Sequence, residues 1–461
     1  MVFWKRVSPH TWITASIFAV IAGFSPGNAQ SNPELTLGQA LKALPNSLEW
    51  QQADLTYLNA QKSLDSARAA AGLRVSAGAD TSLGFPSTGN SSQTLSVSAT
   101  ASLTVLPWSS TFDAVRHAER ALARAELDRT DARNTLALNL FSQYFSARLS
   151  STDVELGKTN LGLSESQLKV ATAQQKNGQI SKDTLLNVQK NLETSKLNLQ
   201  QAISTLEINR LTVWNTLNLE ISDAVFSSIP SERALSTANL DDLTKKAFEK
   251  RNDVQKALSR ISDAQDALSS AQRDRVLPNA SVNVGVTNTG AGSLSSGLNL
   301  QTGSLSVTGT VPIVANTGTN TGTSAASNLT ISASVSIPII APSGDTKISS
   351  AETSLMSAKK TLEQTKQTAK LDVRQKYNDA KLTLAKLNLA KTTSANAKSS
   401  FETAKARFEA GLNTSNDLEQ SRIGVLQAER DLEQAVINQV LAAYRLENAI
   451  GSLNILPGGN L

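Results

Sequence analysis

Side chains that could catalyse a reaction or hold a metal ion are scarce in this sequence. It contains no cysteine, which excludes disulfides, thiolate metal sites, a cysteine nucleophile and a lipidated N-terminal cysteine. Of its two histidines, His10 lies in the N-terminal leader, and His117 alone cannot build a histidine metal site. No Ser/His/Asp arrangement or phosphate-binding glycine loop is present, and the scattered carboxylates are typical of solvated helix surfaces. We therefore expect no enzymatic activity, no cofactor and no metal site.

The charge balance argues against a nucleic-acid partner. The sequence has 44 Lys and Arg residues against 39 Asp and Glu residues, and both signs alternate along the helical segments. A nucleic-acid binding surface would concentrate positive charge instead. Aromatic residues make up only 4% of the 461 residues, so we expect thin, extended packing with little deep interior.

The first 29 residues have the composition of a secretory signal peptide. Lys5 and Arg6 form a charged start, an apolar run extends over about residues 12–24, and "GNA" (27–29) offers a small-residue cleavage site. The alternative is an uncleaved anchor helix, but about 13 apolar residues are short for a bilayer span of about 20. No other segment approaches about 18 consecutive apolar residues. We expect an exported protein with a cleaved leader at 1–29, which could cross a membrane only with strands.

Beyond the leader, helical periodicity alternates with Ser/Thr/Gly-rich segments of period two, and this order occurs twice. The first repeat is placed at 30–230 and the second at 231–461. The first is predicted to contain a helix at 35–73, a β-hairpin at 74–107, a long helix at 109–176, a turn near 178 and a helix at 182–219. The second is predicted to contain a helix at 240–276, a β-hairpin and loop at 278–340, a long helix at 343–410, a turn near 411 and a helix at 415–451.

A shift of 233 residues superimposes the second repeat on the first. It aligns Tyr144 with Tyr377 and Gly178 with Gly411 without a gap across the helical arm. Chance matches of Ala and Leu are common in such helices, but matches of Tyr and Gly are not, so the pattern indicates an internal duplication. Because glycine favours the left-handed backbone of a helix end, Gly178 and Gly411 are predicted to mark where long helices reverse.

Apolar residues recur every seven positions in the helical segments. Such series are Leu185, Leu192, Leu199, Leu206 and Val213, then Ile348, Leu355, Leu362 and Ala369, and an alanine series at Ala428, Ala435, Ala442 and Ala449. This repeat predicts helices that pack at about 20° in coiled-coil fashion. A closed cylinder of helices would satisfy the pattern, and an ordinary soluble coiled coil would satisfy it equally well.

The strand segments favour a membrane protein. In 95–105 and 329–339, apolar residues alternate with Ser and Thr over about 11 residues, the length of a tilted membrane strand. A soluble sandwich also alternates, but the almost uncharged polar face, the two separate hairpins and the export signal favour a membrane barrel. Four strands cannot close a barrel, so several chains must pool their strands. Residues 288–328 are expected to form an enlarged extracellular loop or a lengthened hairpin, with disorder of 315–328 as the alternative.

Three segments of the sequence resemble the TolC family of outer-membrane efflux and secretion ducts. They are "LTLGQALKALPNSLEWQQADLTYLNAQKSLDSARAA" (35–70), its second copy at 240–284, and "AKARFEAGLNTSNDLEQSRIGVLQAERDLEQAVINQVLAAYRLENAIG" (404–451), which is similar to the family's last turn and closing helix. No single motif is diagnostic, but the ordered set is specific. The resemblance extends over essentially the whole mature chain.

The resemblance implies a mainly α fold with a small β part, built from duplicated coiled-coil helical hairpins and two β-hairpins per chain. In a homotrimer, three chains would form a 12-strand outer-membrane β-barrel on a 12-column periplasmic α-barrel. The implied function is passive conduction in a tripartite efflux or type I secretion system. The implied partners are an inner-membrane pump, a periplasmic adaptor and outer-membrane lipid, whereas drugs, metal ions and polypeptides all fit as cargo.

The resemblance also implies functional residues at the two helical turns. The turn residues that would contact the adaptor are Gly178, Ser181, Gly411, Leu412 and Thr414. Next to these turns, the family closes its pore entrance with a tyrosine, an arginine and rings of aspartates. The aligned residues are Phe408 for the tyrosine, Asn413 for the arginine, Asp417 and Gln420 for two aspartates, and Thr184, beside Asp183, for a bonding aspartate. These replacements predict a closure that differs from the family's polar latch or is looser.

Some of these assignments have structural alternatives. Asp417 is equally well explained as an acid at a helix N-terminus, where the helix dipole favours it. Trp108 follows Pro107 at a strand-to-helix junction, where it is expected at the membrane interface or as a packed junction residue. For the whole chain, the alternative is a soluble periplasmic or surface coiled-coil scaffold or adaptor. An adaptor should carry a single helical hairpin, whereas here the hairpin is duplicated.

Overall fold

The computed structural model describes residues 34–84, 92–221, 223–234, 239–277, 279–288, 292–315, 327–336 and 342–453. The predicted signal peptide at 1–29 and most of the segment 315–328 lie outside these residues. Long helices dominate the described chain and one larger β-sheet accompanies them, which confirms the predicted fold class. None of the described helices is both long enough and apolar enough to span a membrane.

The first repeat begins with short elements and continues into a long helical hairpin. Its elements are β1 (Glu34–Leu35), α1 (Leu37–Ala43), a 3-10 turn (Leu44–Asn46), α2 (Leu48–Ala71), β2 (Arg74–Gly84), β3 (Ser92–Thr104), α3 (Ser110–Lys176), α4 (Lys182–Leu217) and β4 (Val225–Phe226). The single helix predicted at 35–73 is interrupted at the 3-10 turn, because Pro45 within it has no N–H to continue the helix of α1. Ser47 then caps α2 by accepting a hydrogen bond from the Trp50 N–H. The helix α4 ends before residue 219 because Asn218 is left-handed, with φ of 51°.

The second repeat has the same order of helices, but its sheet segment is longer. Its elements are α5 (Leu240–Lys250), α6 (Asn252–Val276), β5 (Asn279–Asn288), β6 (Gly292–Asn299), β7 (Ser304–Ala315), β8 (Ser327–Ser336), α7 (Pro342–Glu409) and α8 (Ser415–Ala449). The single helix predicted at 240–276 is broken at Arg251, whose backbone is extended. The Arg251 guanidinium donates hydrogen bonds to the carboxylate of Asp372 (2.7 Å) and the carbonyl of Ala449 (3.0 Å), which holds the break against α7 and α8.

The larger sheet has six antiparallel strands in the order β2-β3-β7-β6-β5-β8. The prediction of two β-hairpins per chain is therefore too low, because β6 and β7 form a third hairpin within the segment expected to be a loop or a lengthened hairpin. The sequence of β6, "GSLSSGLN", is mostly Gly and Ser, so apolar alternation could not identify it. Gly303 closes the turn between the two strands with φ of +66°.

Small residues bring α3 and α4 together along their length. A Cβ atom on Gly157 would lie 3.2 Å from Leu199 Cδ1, so glycine permits a close approach at this heptad leucine. The hydroxyl groups of Ser164 and Ser195 lie 2.8 Å apart across the same pair of helices. The helices α7 and α8 form the second long hairpin.

The main core surrounds Tyr144, whose side chain is fully buried. Its hydroxyl donates a hydrogen bond to the Leu35 carbonyl (2.6 Å) and accepts one from the Ser228 N–H (3.0 Å). These two bonds join α3 to the segments that contain β1 and β4, which pair in parallel. The aromatic rings of Phe145 and Phe226 pack edge-on against Tyr144, with centroids 5.2 and 5.1 Å away.

Ion pairs hold α6 against the start of α3. Arg120 and Arg124 on α3 both donate to the carboxylate of Asp263 on α6, and His117 contacts the same carboxylate at 3.0 Å. Partial burial opposes the charge of Asp263, but the hydrogen bonds and positive charges of Arg120 and Arg124 outweigh it and lower the pKa of this carboxyl group. The pairs therefore favour an ionised Asp263.

Replacing Tyr144 with phenylalanine should destabilise the fold. The ring stays, but the Ser228 N–H loses the hydroxyl that accepts its hydrogen bond, and the Leu35 carbonyl keeps only the longer bond from the Ser227 N–H (3.4 Å). We expect the free energy of unfolding to fall by about 1–3 kcal/mol. Thermal unfolding of the purified protein, followed by circular dichroism, measures the effect. The matched control is Tyr377→Phe at the aligned, half-buried position, and an equal loss in both variants would contradict this role of Tyr144.

The variant Asp263→Asn should lower stability at neutral pH, and its effect should fade in acid. A carboxyl group whose pKa is lowered by folding adds stability above its usual pKa of 3.8, and this contribution is lost as the pH falls through the lower, folded pKa. We expect a loss of about 1–3 kcal/mol at pH 7 that shrinks steadily below 3.8. Unfolding midpoints across this pH range test it. Asp65→Asn, from an exposed pair with Lys62, is the control, and a pH-independent loss in Asp263→Asn would refute the ionised pair.

Candidate functional site

The two turns that reverse the long helices have the same backbone geometry. Gly178 and Gly411 have φ of +70° and +72°, the left-handed conformation that glycine adopts without strain. The N–H after each glycine reaches back to the last helical turn, from Gln179 to the Gln174 carbonyl and from Leu412 to the Arg407 carbonyl, both at 2.8 Å. Both long helices therefore end in a Schellman motif, as the glycines predicted.

Each returning helix starts with a hydroxyl cap three residues after the glycine. Ser181 accepts a hydrogen bond from the Thr184 N–H (3.1 Å), and Thr414 accepts one from the Asp417 N–H (3.2 Å). The cap and its donor thus occupy the same positions in both turns. The sequence duplication aligned these residues correctly, and the caps explain why α4 and α8 begin where they do.

The two turns differ in the residue that faces the cap. The Asp417 carboxylate accepts hydrogen bonds from the Thr414 N–H (2.9 Å) and hydroxyl (2.7 Å), which completes a capping box. These two hydrogen bonds lower the pKa of Asp417, and the larger effect comes from the Thr414 N–H. At the aligned position, Thr184 contributes only an uncharged hydroxyl, 2.9 Å from Ser181 Oγ. The capping position of the second turn therefore carries a negative charge, whereas Thr184 at the aligned position of the first turn is uncharged.

The other candidate gate residues lie on the same two turns and are mostly accessible. Asp183, Thr184 and Gln420 are exposed, and Phe408 presents 40% of its surface. Asn413 is half-buried beside Thr414. Phe408 and Asn413, which align with the tyrosine and the arginine implied by the resemblance, are both uncharged.

The turn after α7 is also apolar at its tip. Leu412 is 77% exposed, whereas the aligned residue of the first turn is the polar Gln179. An exposed leucine beside a glycine turn can insert into an apolar recess of another protein. This asymmetry distinguishes the two turns that the resemblance assigns to adaptor contact.

One contact near the second turn was not identified from the sequence. The Ser166 hydroxyl on α3 donates a hydrogen bond to Asn416 Oδ1 at the start of α8 (3.2 Å). It joins the first helical hairpin to the second, close to Thr414 and Asp417. Because the two residues are 250 positions apart, no periodicity or local motif could have indicated the contact.

Trp108 lies at the opposite end of α3. Its indole Nε1 donates a hydrogen bond to the Leu300 carbonyl in the β6–β7 turn (3.2 Å), and 37% of the residue is exposed. The hydrogen bond is consistent with the packed junction residue, and the exposed part of the ring leaves room for the interfacial role. No group of His, Asp or Glu residues in the described chain is arranged to hold a metal ion.

Comparisons with known proteins agree with this arrangement. A family model described as outer membrane efflux protein matches residues 40–219 and 243–452, and thus both repeats. No curated protein matches the sequence. Among solved structures, the outer membrane protein VceC from Vibrio cholerae is 15% identical, with 90% of this chain and 96% of that chain covered and a TM-score of 0.64.

Two further structures have similar identities, coverages and TM-scores. The CmeC outer membrane channel of Campylobacter jejuni is 15% identical, with 93% of this chain and 91% of that chain covered and a TM-score of 0.66. The MtrE outer membrane channel of Neisseria gonorrhoeae, solved in its open state, is 17% identical, with 90% of this chain and 89% of that chain covered and a TM-score of 0.67. The TM-scores show a shared fold, and at 15–17% identity the likeness is one of fold alone. Because the family model matches most of the sequence, the chain belongs to the outer membrane efflux protein family.

Proposed function

We propose that this chain is the outer-membrane channel-tunnel of a tripartite efflux or type I secretion system. It would conduct substrates passively from an inner-membrane pump and a periplasmic adaptor across the outer membrane. The observation that carries the proposal is that the family model matches both repeats. In the structure, these repeats form two long helical hairpins and share one amphipathic sheet. The 67 residues of α3 correspond to about 100 Å, enough to span much of a periplasm.

The sheet has the two faces that a membrane wall needs. Leu329, Ile331 and Val335 of β8 are each more than 60% exposed on one face, and Thr330, Ser332 and Ser334 lie on the other. An apolar surface of this kind suits lipid, and the hydroxyl face suits a water-filled lumen. This exposure argues against the soluble scaffold or adaptor, which would have to bury such a patch.

The sheet edges require further chains. β2 and β8 are bonded on one side only within the described chain, and unpaired strand edges are not tolerated in hydrocarbon. A homotrimer, as in the family that the sequence resembles, would pair each β8 with a neighbouring β2. The leader at 1–29 would direct export, and the helical hairpins would then extend into the periplasm.

The turns would form the entrance of the tunnel. Three copies of Asp417 would place three negative charges around the pore axis, and its lowered pKa keeps each carboxyl ionised at neutral pH. Such a ring favours cations over anions. Phe408, Asn413 and Gln420 would line the same entrance with no matching arginine, which corresponds to a closure without the family's polar latch. Gly178, Ser181, Leu412 and the other turn residues would meet the adaptor.

The proposed location and assembly can be tested together. We expect the expressed protein to fractionate with the outer membrane, to need detergent for extraction, and to migrate as a trimer that heating converts to monomers. A variant without residues 1–29 is the control, because it should remain in the cytoplasm. Recovery of the full chain in the soluble periplasmic fraction would reject the channel and favour the scaffold.

The charge ring can be tested with Asp417→Asn, which keeps an oxygen that can cap α8. Losing three charges should lower cation selectivity several-fold and weaken block by multivalent cations. Single-channel recordings in planar bilayers measure both properties. Glu193→Gln, an exposed acid elsewhere on α4, should leave them unchanged, and equal selectivity in Asp417→Asn and the wild type would eliminate the ring.

A further inference from the structure

We propose that each chain contributes six strands to the membrane wall, so that three copies close an eighteen-stranded barrel. This inference rests on the proposed trimeric channel and concerns its width in the membrane. The added element is the β6–β7 hairpin, which lies between β3 of the first repeat and β5 of the second. A wall without this hairpin would have twelve strands.

The hairpin is fully paired within the sheet. β7 pairs with β3 from Thr94 to Thr104, with one register shift near Leu95, and β6 pairs with both β7 and β5 over nearly its whole length. A plug or a loop folded into the lumen would leave β3 free to pair directly with β5. The observed register instead places two extra strands between them.

The two faces of the sheet continue across the hairpin. On the apolar face, one row of paired residues is Leu103, Leu305, Leu298, Val282 and Ala333. On the polar face, the neighbouring row is Ser102, Ser306, Gly297, Asn283 and Ser332. Leu294 and Val311 of the hairpin are 57% and 56% exposed on the apolar face. A hairpin surrounded by water in the lumen would not need this lipid-compatible side.

The hairpin is also fixed at the level where strands meet helices. The Gly303 carbonyl in its turn accepts hydrogen bonds from the N–H groups of Val105 (2.8 Å) and Leu106 (3.2 Å). Its packing leaves no space for a side chain, since a Cβ atom on Gly303 would lie 2.8 Å from Leu106 Cβ. The Trp108 indole bonds to Leu300 in the same turn. The β6–β7 turn therefore lies beside the junction of β3 and α3, at the same end of the sheet as the other connections between strands and helices.

The edges remain suitable for closure. Adding two strands keeps β2 and β8 antiparallel to each other, so β8 of one copy can pair with β2 of the next. Arg74 and Asp80, both in β2, are the only charged residues in the six strands. Because barrel diameter grows roughly linearly with strand number, eighteen strands give a wall about 1.5 times as wide as twelve, or about 36 Å against about 24 Å between backbones.

The chain's lack of cysteine allows a direct test by disulfide mapping in the outer-membrane fraction. The variant Thr100→Cys/Thr308→Cys joins β3 to β7, where the two native hydroxyls lie 3.2 Å apart, and it should cross-link on oxidation. The variant Thr100→Cys/Gly285→Cys joins β3 to β5 across about 14 Å and should not. Gly285 has room for a side chain, with its nearest neighbours 3.8 Å from a Cβ atom.

Ser281→Cys/Ser334→Cys, across β5 and β8, is the positive control because this pair is adjacent in either wall. Electron cryomicroscopy of the wild-type trimer in lipid nanodiscs then counts the strands directly. Eighteen strands with the β3–β7 cross-link are expected. Twelve strands, or a β3–β5 cross-link in place of β3–β7, would overturn the wider wall and leave the trimeric channel standing. A soluble monomer would overturn the channel and the wider wall together.

Discussion

Backbone hydrogen bonding at the two sheet edges is the constraint on which the rest of this molecule depends. In hydrocarbon, an unpaired N–H or C=O group costs several kcal/mol, so a six-stranded sheet that ends at β2 and β8 is incompatible with lipid. The helical hairpins have no such requirement, because each α-helix pairs its own backbone and the hairpins pack through contacts such as Ser164 with Ser195. In the proposed trimer, strand pairing between copies is therefore the step that makes the sheet suitable for the membrane.

The duplication preserved the backbone path while it allowed the chemistry of the two repeats to diverge. Tyr144 is buried and bonds to two other segments, whereas Tyr377 at the aligned position is only half-buried. At the turns, Thr184 and Asp417 occupy the same capping position, but only Asp417 brings a charge. The larger buried cluster thus surrounds the tyrosine of the first repeat, and the charged cap belongs to the second.

The features predictable from the sequence were those governed by local rules. Positive φ at Gly178 and Gly411 follows from glycine's freedom, and the long helices follow from their periodicity. The third hairpin was missed because the Gly and Ser residues of β6 carry almost no apolar alternation and its pairing depends on β5 and β7. The break at Arg251 depends on Asp372 and Ala449, which are remote in sequence. The residues of the proposed pore entrance could be placed at the turns from the alignment of the two repeats, but in the proposed trimer their joint geometry would depend on neighbouring copies.

The length of the long helices also has a mechanical consequence. Near the sheet, the segment that leads into α3 is held by the Gly303 turn, and α3 itself is held by the ion pairs to α6. Toward its other end, Ser164 and Ser166 bond to α4 and α8, so the neighbouring helices would tilt with it. A rod of about 100 Å that pivots at its anchored end acts as a lever, so a tilt of about 2° moves the far end by about 3.5 Å. A helix tilt that is too small to disturb the packing at the sheet thus displaces the turns by about the width of a water molecule.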